Sequence, residues 1–197
     1  MANKPQNIVV HHSITPRDLN PDVTENSFNQ THKSKDFPAS YWNARTWYIG
    51  YHFVIYGNGE VRQYRALNTV GAHCKEDNMN FKSIGICLAG DFDKEMPSTA
   101  QIDSLRTLVN SLRADLNIPH ANIFPHRKFA PYKSCWGTNL PDNPNDLLEL
   151  KDKAPSDADL AHRRFKAEGI IKQDKDLVSP VTWGEFLIVL NRLFPKK

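Results

Sequence analysis

The stretch YHFVIYGNGEVRQYR, residues 51–65, constrains the fold more than any other part of this chain. Two runs rich in β-branched and aromatic residues flank Gly57-Asn58-Gly59. Gly and Asn tolerate the positive φ that a tight turn demands, so the stretch is predicted to form a β-hairpin. Two other segments are read as strands. NIVVHHS (7–13) has β-branched residues bounded by polar ones, and SIGICLAGDF, from Ser83, is apolar on both faces, the pattern of a strand inside a sheet.

Helical signals separate these strands. Ser98 and Gln101 in PSTAQ form a capping box, and Ile102, Leu105, Leu108, Val109, Leu112 and Leu116 follow at helical spacing. A shorter helix is expected from Thr24 to about Lys33, with Ser27, Phe28, Thr31 and His32 on neighbouring faces. FPASYWNARTWYIG reads as an aromatic-rich loop, NIFPHRKFAPYKSCWG as a strand running into a loop, and LLELKDKAP as a closing helix. Around Pro155 the composition changes, and two helices separated by a short loop are expected in the tail.

With 197 residues the chain has room for one well-buried domain and a small appendage. No stretch approaches the roughly 20 apolar residues of a membrane span. The start, MANKPQNIVVHHS, lacks the apolar region of a secretory signal, so synthesis in the cytoplasm without Sec-type export is expected. Residues 1–150 carry fifteen basic and fifteen acidic side chains, while 151–197 carry ten and seven, so the net charge of +3 lies in the tail. Neither part has the basic density of a nucleic-acid binder, and no nucleic-acid partner is expected. The three cysteines, Cys74, Cys87 and Cys135, are too few for a disulfide scaffold, and Cys74 and Cys87 are read as buried thiols.

Adjacent His11 and His12 pose a question. Neighbouring side chains on a strand point to opposite faces, so the two cannot easily meet one ligand. A catalytic zinc site needs three protein ligands and an open position, and one of this pair together with His126 and Cys135 has the right donor types. Spacing alone does not choose between His11 and His12.

IVVHHSIT, IGYHFVIYGNGEVRQYR, VGAHC, FKSIGICLAGDF, PSTAQIDSLRTLVNSL and FPHRKFAPYKSC occur in that order. Together they resemble the zinc-dependent N-acetylmuramoyl-L-alanine amidases, the family of peptidoglycan-recognition proteins and phage amidase-type lysozymes, over roughly residues 6–150. The resemblance implies an α/β fold, a central mixed β-sheet flanked by α-helices, with zinc at the base of a groove. It implies His11, His126 and Cys135 as the zinc ligands, Tyr51 and Lys133 as catalytic residues, and His73 in the substrate groove. Zinc-activated water would then attack the amide between N-acetylmuramic acid and L-alanine. Lys133 would stabilise the oxyanion, and Tyr51 would orient the water or donate to the oxyanion. The second histidine and the cysteine stand nine residues apart where family members often have eight, and CWG replaces the commoner CPG.

Trp42, Trp47 and Trp136 are candidates to stack against sugar rings, whereas His52 is read as structural. The tail resembles a single S-layer-homology unit, a type that attaches proteins to cell-wall polymers; a structural helical pair is the competing reading. The organisation expected is a catalytic domain over 1–154 and a small C-terminal helical appendage over 155–197. Bacterial peptidoglycan is the expected partner, met at the cell wall after release, as for a phage or prophage endolysin. The competing function is a peptidoglycan-binding module that does not cut, although the ligand cysteine and Tyr51 are both retained here.

Overall fold

The computed structural model of the protein describes residues 2–148. The chain runs through strand β1 (Asn7–His12), helix α1 (Pro21–Ser34), strands β2 (Ser40–Trp42), β3 (Arg45–Trp47), β4 (Phe53–Ile55), β5 (Val61–Gln63) and β6 (Ser83–Leu88). Helix α2 (Thr99–Leu116), strand β7 (Ile123–Pro125) and helix α3 (Pro144–Leu148) follow. Five strands form one sheet in the order β5-β4-β6-β1-β7. β1 pairs parallel with both β6 and β7, β4 is parallel to β6, and the β4–β5 hairpin supplies the antiparallel edge. The sheet is therefore mixed, as expected, and the hairpin lies where the Gly-Asn-Gly turn places it.

Every residue of β6 is buried, which explains its apolar character on both faces. On one face Ile8, Val10, Ile84, Ile86 and Leu88 pack with Leu105, Val109 and Leu112 of α2. Leu105 is fully buried there, and truncating such a residue typically costs about 2–5 kcal/mol. On the other face Val54, Cys87 and Ala89 pack with Phe28 of α1 and with Trp47.

The Ser98–Gln101 capping box forms as the sequence predicts. Gln101 does more than cap: its buried amide donates to Ala89 O at 2.8 Å and Ile55 O at 3.2 Å, tying the helix start to the ends of β6 and β4.

Two readings need correction. The expected loop at 37–50 contains the antiparallel ribbon β2–β3, with Ser40 opposite Trp47. The first helix starts at Pro21, capped by the Asn20 side chain, and not at Thr24. Cys74 and Cys87 are buried thiols, unpaired with each other. Among the described residues no helix is long and apolar enough to cross a membrane. The closing helix beyond Leu148, the tail helices, the boundary at 154 and the wall-binding resemblance all fall outside the described residues.

Candidate active site

The carboxyl ends of β1 and β7 lie side by side, because Val10 is the register partner of Pro125. One residue further on, His11 and His126 come together, with ring centroids 4.4 Å apart. Ends of parallel strands are where open α/β sheets place their ligand sites. Cys135 completes the cluster: its Sγ is 3.6 Å from His11 Nδ1 and accepts the His12 backbone N–H at 3.4 Å. One donor atom from each of His11, His126 and Cys135 lies within 4.8 Å of the others, so the three could hold a metal ion.

The loop from His126 back to Cys135 is held shut at several points. Arg127 N–H donates to Cys135 O, and its guanidinium donates to Gly137 O and Leu140 O. Asp93 accepts from Ser134 Oγ at 2.5 Å and from Thr138 N–H at 2.7 Å. A nine-residue spacing therefore still returns the sulfur to His11.

His12 points to the opposite face of β1, where its Nδ1 accepts from Phe92 N–H at 3.1 Å. It serves the cysteine through its backbone alone. His11 is oriented from behind: its Nε2 is 3.1 Å from Nδ1 of His73, leaving Nδ1 turned towards Cys135. The His73 ring lies where a side chain on Gly85 would stand, with a Cβ there only 2.4 Å from its Cδ2. A glycine inside an all-buried strand marks this close approach.

Electrostatically the cluster resists positive charge. Burial, then the neighbouring His126, His73 and Lys133, pushes His11 well below the ordinary histidine range. Burial and Lys133 bring His126 to about 4. Burial also pushes the Cys135 thiol up to about 12. Neutral imidazoles are ready ligands, and a cation bound beside the thiol would favour its thiolate form.

The cluster opens into a cavity of about 380 Å³. Tyr51, His73 and Lys133 line it, and α1 contributes Ser27, Thr31 and His32 to the far wall. The Tyr51 ring is 5.1 Å from that of His11. Lys133 is exposed on the cavity wall. His52 lies beneath, fully buried, accepting from Gly85 N–H and bonded to Thr69 O.

Two candidates do not belong to the cavity. Trp136 is fully buried, packed in the α2-side core with its Nε1 donating to Pro141 O, so it cannot stack on a sugar. Trp47 is buried too, edge-on to Tyr64 with the Arg45 guanidinium 4.1 Å over its ring. Both aromatics answer to packing.

Sequence reasoning gave no role to His32, whose ring stacks on Phe37 at 4.5 Å, or to Glu76, which stands beside His126. Burial pulls the Glu76 carboxyl up, but the Tyr132 hydroxyl, its own backbone N–H, His126 and Lys133 outweigh this and hold it at about 2. No spacing or periodicity marks either residue.

The sequence matches a family model described as N-acetylmuramoyl-L-alanine amidase over residues 1–138. It is 33% identical over 138 residues to the endolysin of Klebsiella phage KP32, covering 68% of this chain and 81% of the endolysin. It is 32% identical over 107 residues to peptidoglycan-recognition protein SC2 of Drosophila simulans, covering 54% of this chain and 57% of that protein. The chain spans about half the length of such recognition proteins from Drosophila. The fold is similar to that of N-acetylmuramoyl-L-alanine amidase LysC from Clostridium intestinale URNW, with a TM-score of 0.60 and 27% identity over 76% of this chain and 88% of that one. A family model matched across most of the chain, with every residue of the cavity inside the match, shows that the protein belongs to the N-acetylmuramoyl-L-alanine amidase family.

Proposed function

We propose that the protein hydrolyses the amide bond between N-acetylmuramic acid and L-alanine in bacterial peptidoglycan, with residues 1–154 as the catalytic domain and zinc held by His11, His126 and Cys135. The observation that carries this reading is the donor set of two imidazoles and one thiol at the floor of an open cavity. Three such ligands with a side left accessible to water and substrate are the pattern of a catalytic zinc site. The relatives named as endolysins and amidases support the same reaction, and the endolysin likeness supports action at the cell wall.

When bound, zinc supplies Lewis acidity, lowering the pKa of a coordinated water to roughly 7. The chain's own groups do the rest. The His12 N–H donates to Cys135 Sγ and favours its thiolate form. His73 holds the His11 ring with Nδ1 towards Cys135. The Lys133 ammonium on the cavity wall is placed to stabilise the negative charge that develops on the scissile carbonyl oxygen; one such donor is worth about 3 kcal/mol. Tyr51 borders the same space and is placed to orient the attacking water. The His73 ring borders the cavity, but its Nε2 is buried beside Gly71 and Gly85, so its service is to His11.

Digestion of purified peptidoglycan, followed by mass spectrometry, tests the assignment. Zinc-loaded protein is expected to release stem peptides with a new L-alanine amine terminus, and chelated protein is not. Cys135→Ser and His11→Ala are expected to lose at least a hundredfold in rate, while His12→Ala, on the other face, keeps its metal. Muropeptide binding without new amine termini would instead establish a recognition module, and undiminished cleavage by Cys135→Ser would remove the metal assignment.

A further inference from the structure

Glu76 takes no part in the reading above, yet its carboxylate is built into the wall behind His126. Its side chain is 17% exposed, its Oε1 accepts from the Tyr132 hydroxyl at 2.5 Å, and its Oε2 lies 3.7 Å from His126 Nε2. That Nε2 is buried and has no hydrogen-bond partner. The Cys74 thiol approaches the same Oε2 at 3.8 Å and the Glu76 carbonyl at 3.9 Å.

A neutral imidazole that gives one nitrogen to a metal must carry its proton on the other. Buried without an acceptor, such an N–H carries the full cost of its lost hydration. A carboxylate at 3.7 Å is at ion-pair distance and a small side-chain rotation from a hydrogen bond. Carboxylates in this position fix the tautomer and direction of a ligand histidine and raise its basicity.

We propose that Glu76 is the positioning residue for His126: its carboxylate accepts the Nε2–H, leaving Nδ1 to the metal, and the Tyr132 hydroxyl fixes the carboxylate. The inference rests on His126 being a zinc ligand. Glu76, Cys74 and His126 also lie close enough to hold an ion themselves. Two contacts favour the outer role: the Cys74 S–H is engaged with Glu76, and Oε1 is taken by Tyr132.

The test is zinc affinity of the full chain by chelator competition, with metal stoichiometry and the visible spectrum of the cobalt-substituted protein. Wild type is expected to bind one ion. Glu76→Ala is expected to weaken zinc by roughly 10–100-fold and to change the cobalt d–d bands while keeping the Cys135 sulfur-to-cobalt band. Glu76→Gln, which preserves shape and an acceptor oxygen, is expected to lose at least threefold. Wild-type affinity in either variant would overturn the proposal. So would two ions per chain with one lost in Cys74→Ser, since that makes Glu76 a ligand. Wild type that binds no zinc would overturn the metal centre itself and this inference with it, an outcome distinct from the other two.

Discussion

His11 and His12 are almost equally buried, at 1% and 3% exposed, and burial pushes both below the ordinary histidine range. What separates them is direction. Strand alternation sends His11 to the cavity and His12 to Phe92, and the register against β7 sets His126 beside the first of them. His52 shows a buried imidazole used purely for structure. Burial, reinforced by the nearby Arg65 charge and opposed by its hydrogen bond to Thr69 O, brings it to about 4. An unfolded histidine titrates near 6.5, so between these values the unfolded chain binds a proton that the native state does not. The resulting stability is complete above about pH 6.5 and is lost as the pH falls towards 4. In urea melts of metal-free protein at pH 7 and 4.5, wild type is expected to lose roughly 2–3 kcal/mol more than His52→Gln. An identical pH dependence in the two proteins would remove His52 as the source. The donor types of the site were legible at this scale, but the choice of His11 came only from the ordered motifs. Trp47 and Trp136 were misread because an aromatic in a polar stretch looks the same in sequence whether it packs or binds.

Elements were legible where their signals are local. The hairpin at 51–65 and the capped start of α2 both follow from a few adjacent residues. The β2–β3 ribbon did not, because its turn is Asn43-Ala44, with φ of 48° and 59°. Alanine at positive φ is no turn signal, and three-residue strands are too short to show alternation. The start of α1 had a signal, Asn20 before Pro21, that the apolar pattern alone passed over. The α2 cap also reaches beyond its own helix, since Ser98 Oγ donates to Gly57 O at 2.7 Å, and Ser104 Oγ donates to Gly59 O nearly two turns later. The hairpin tip is thus fastened to the helix that covers the core. Ser98→Ala is expected to cost about 1–2 kcal/mol in urea unfolding, near the upper range for a cap because the cross-element bond goes too. Ser98→Thr keeps both bonds and is expected to recover most of it; a loss below about 0.3 kcal/mol in the alanine variant would show the cap to be redundant.

At the scale of the described domain, strand order makes chemistry out of distant sequence. β1 is the first strand in the chain, yet it sits between β6 and the last strand, β7, so His11 meets a cysteine 124 positions away. That juxtaposition is why spacing carried so little information about the site: its ligands are neighbours only after the sheet has formed. Polar clamps such as Arg127 and Asp93 fix the loop that brings Cys135 home. An ion held by His11, His126 and Cys135 would join the start of the domain to its last loop in the native state alone. With free zinc a thousandfold above its dissociation constant, the linkage is worth about 4 kcal/mol. For a chain of this size that corresponds to a Tm higher by roughly 8–16 °C than in excess chelator. Calorimetry of loaded and chelated protein measures the difference directly. The core beneath α2 does not include the ligands, so the chelated protein is expected to keep its far-ultraviolet circular dichroism. Cys135→Ser is expected to shrink the difference between the two melts. A difference under about 2 °C in wild type would mean that the site contributes nothing to holding the first strand against the last loop.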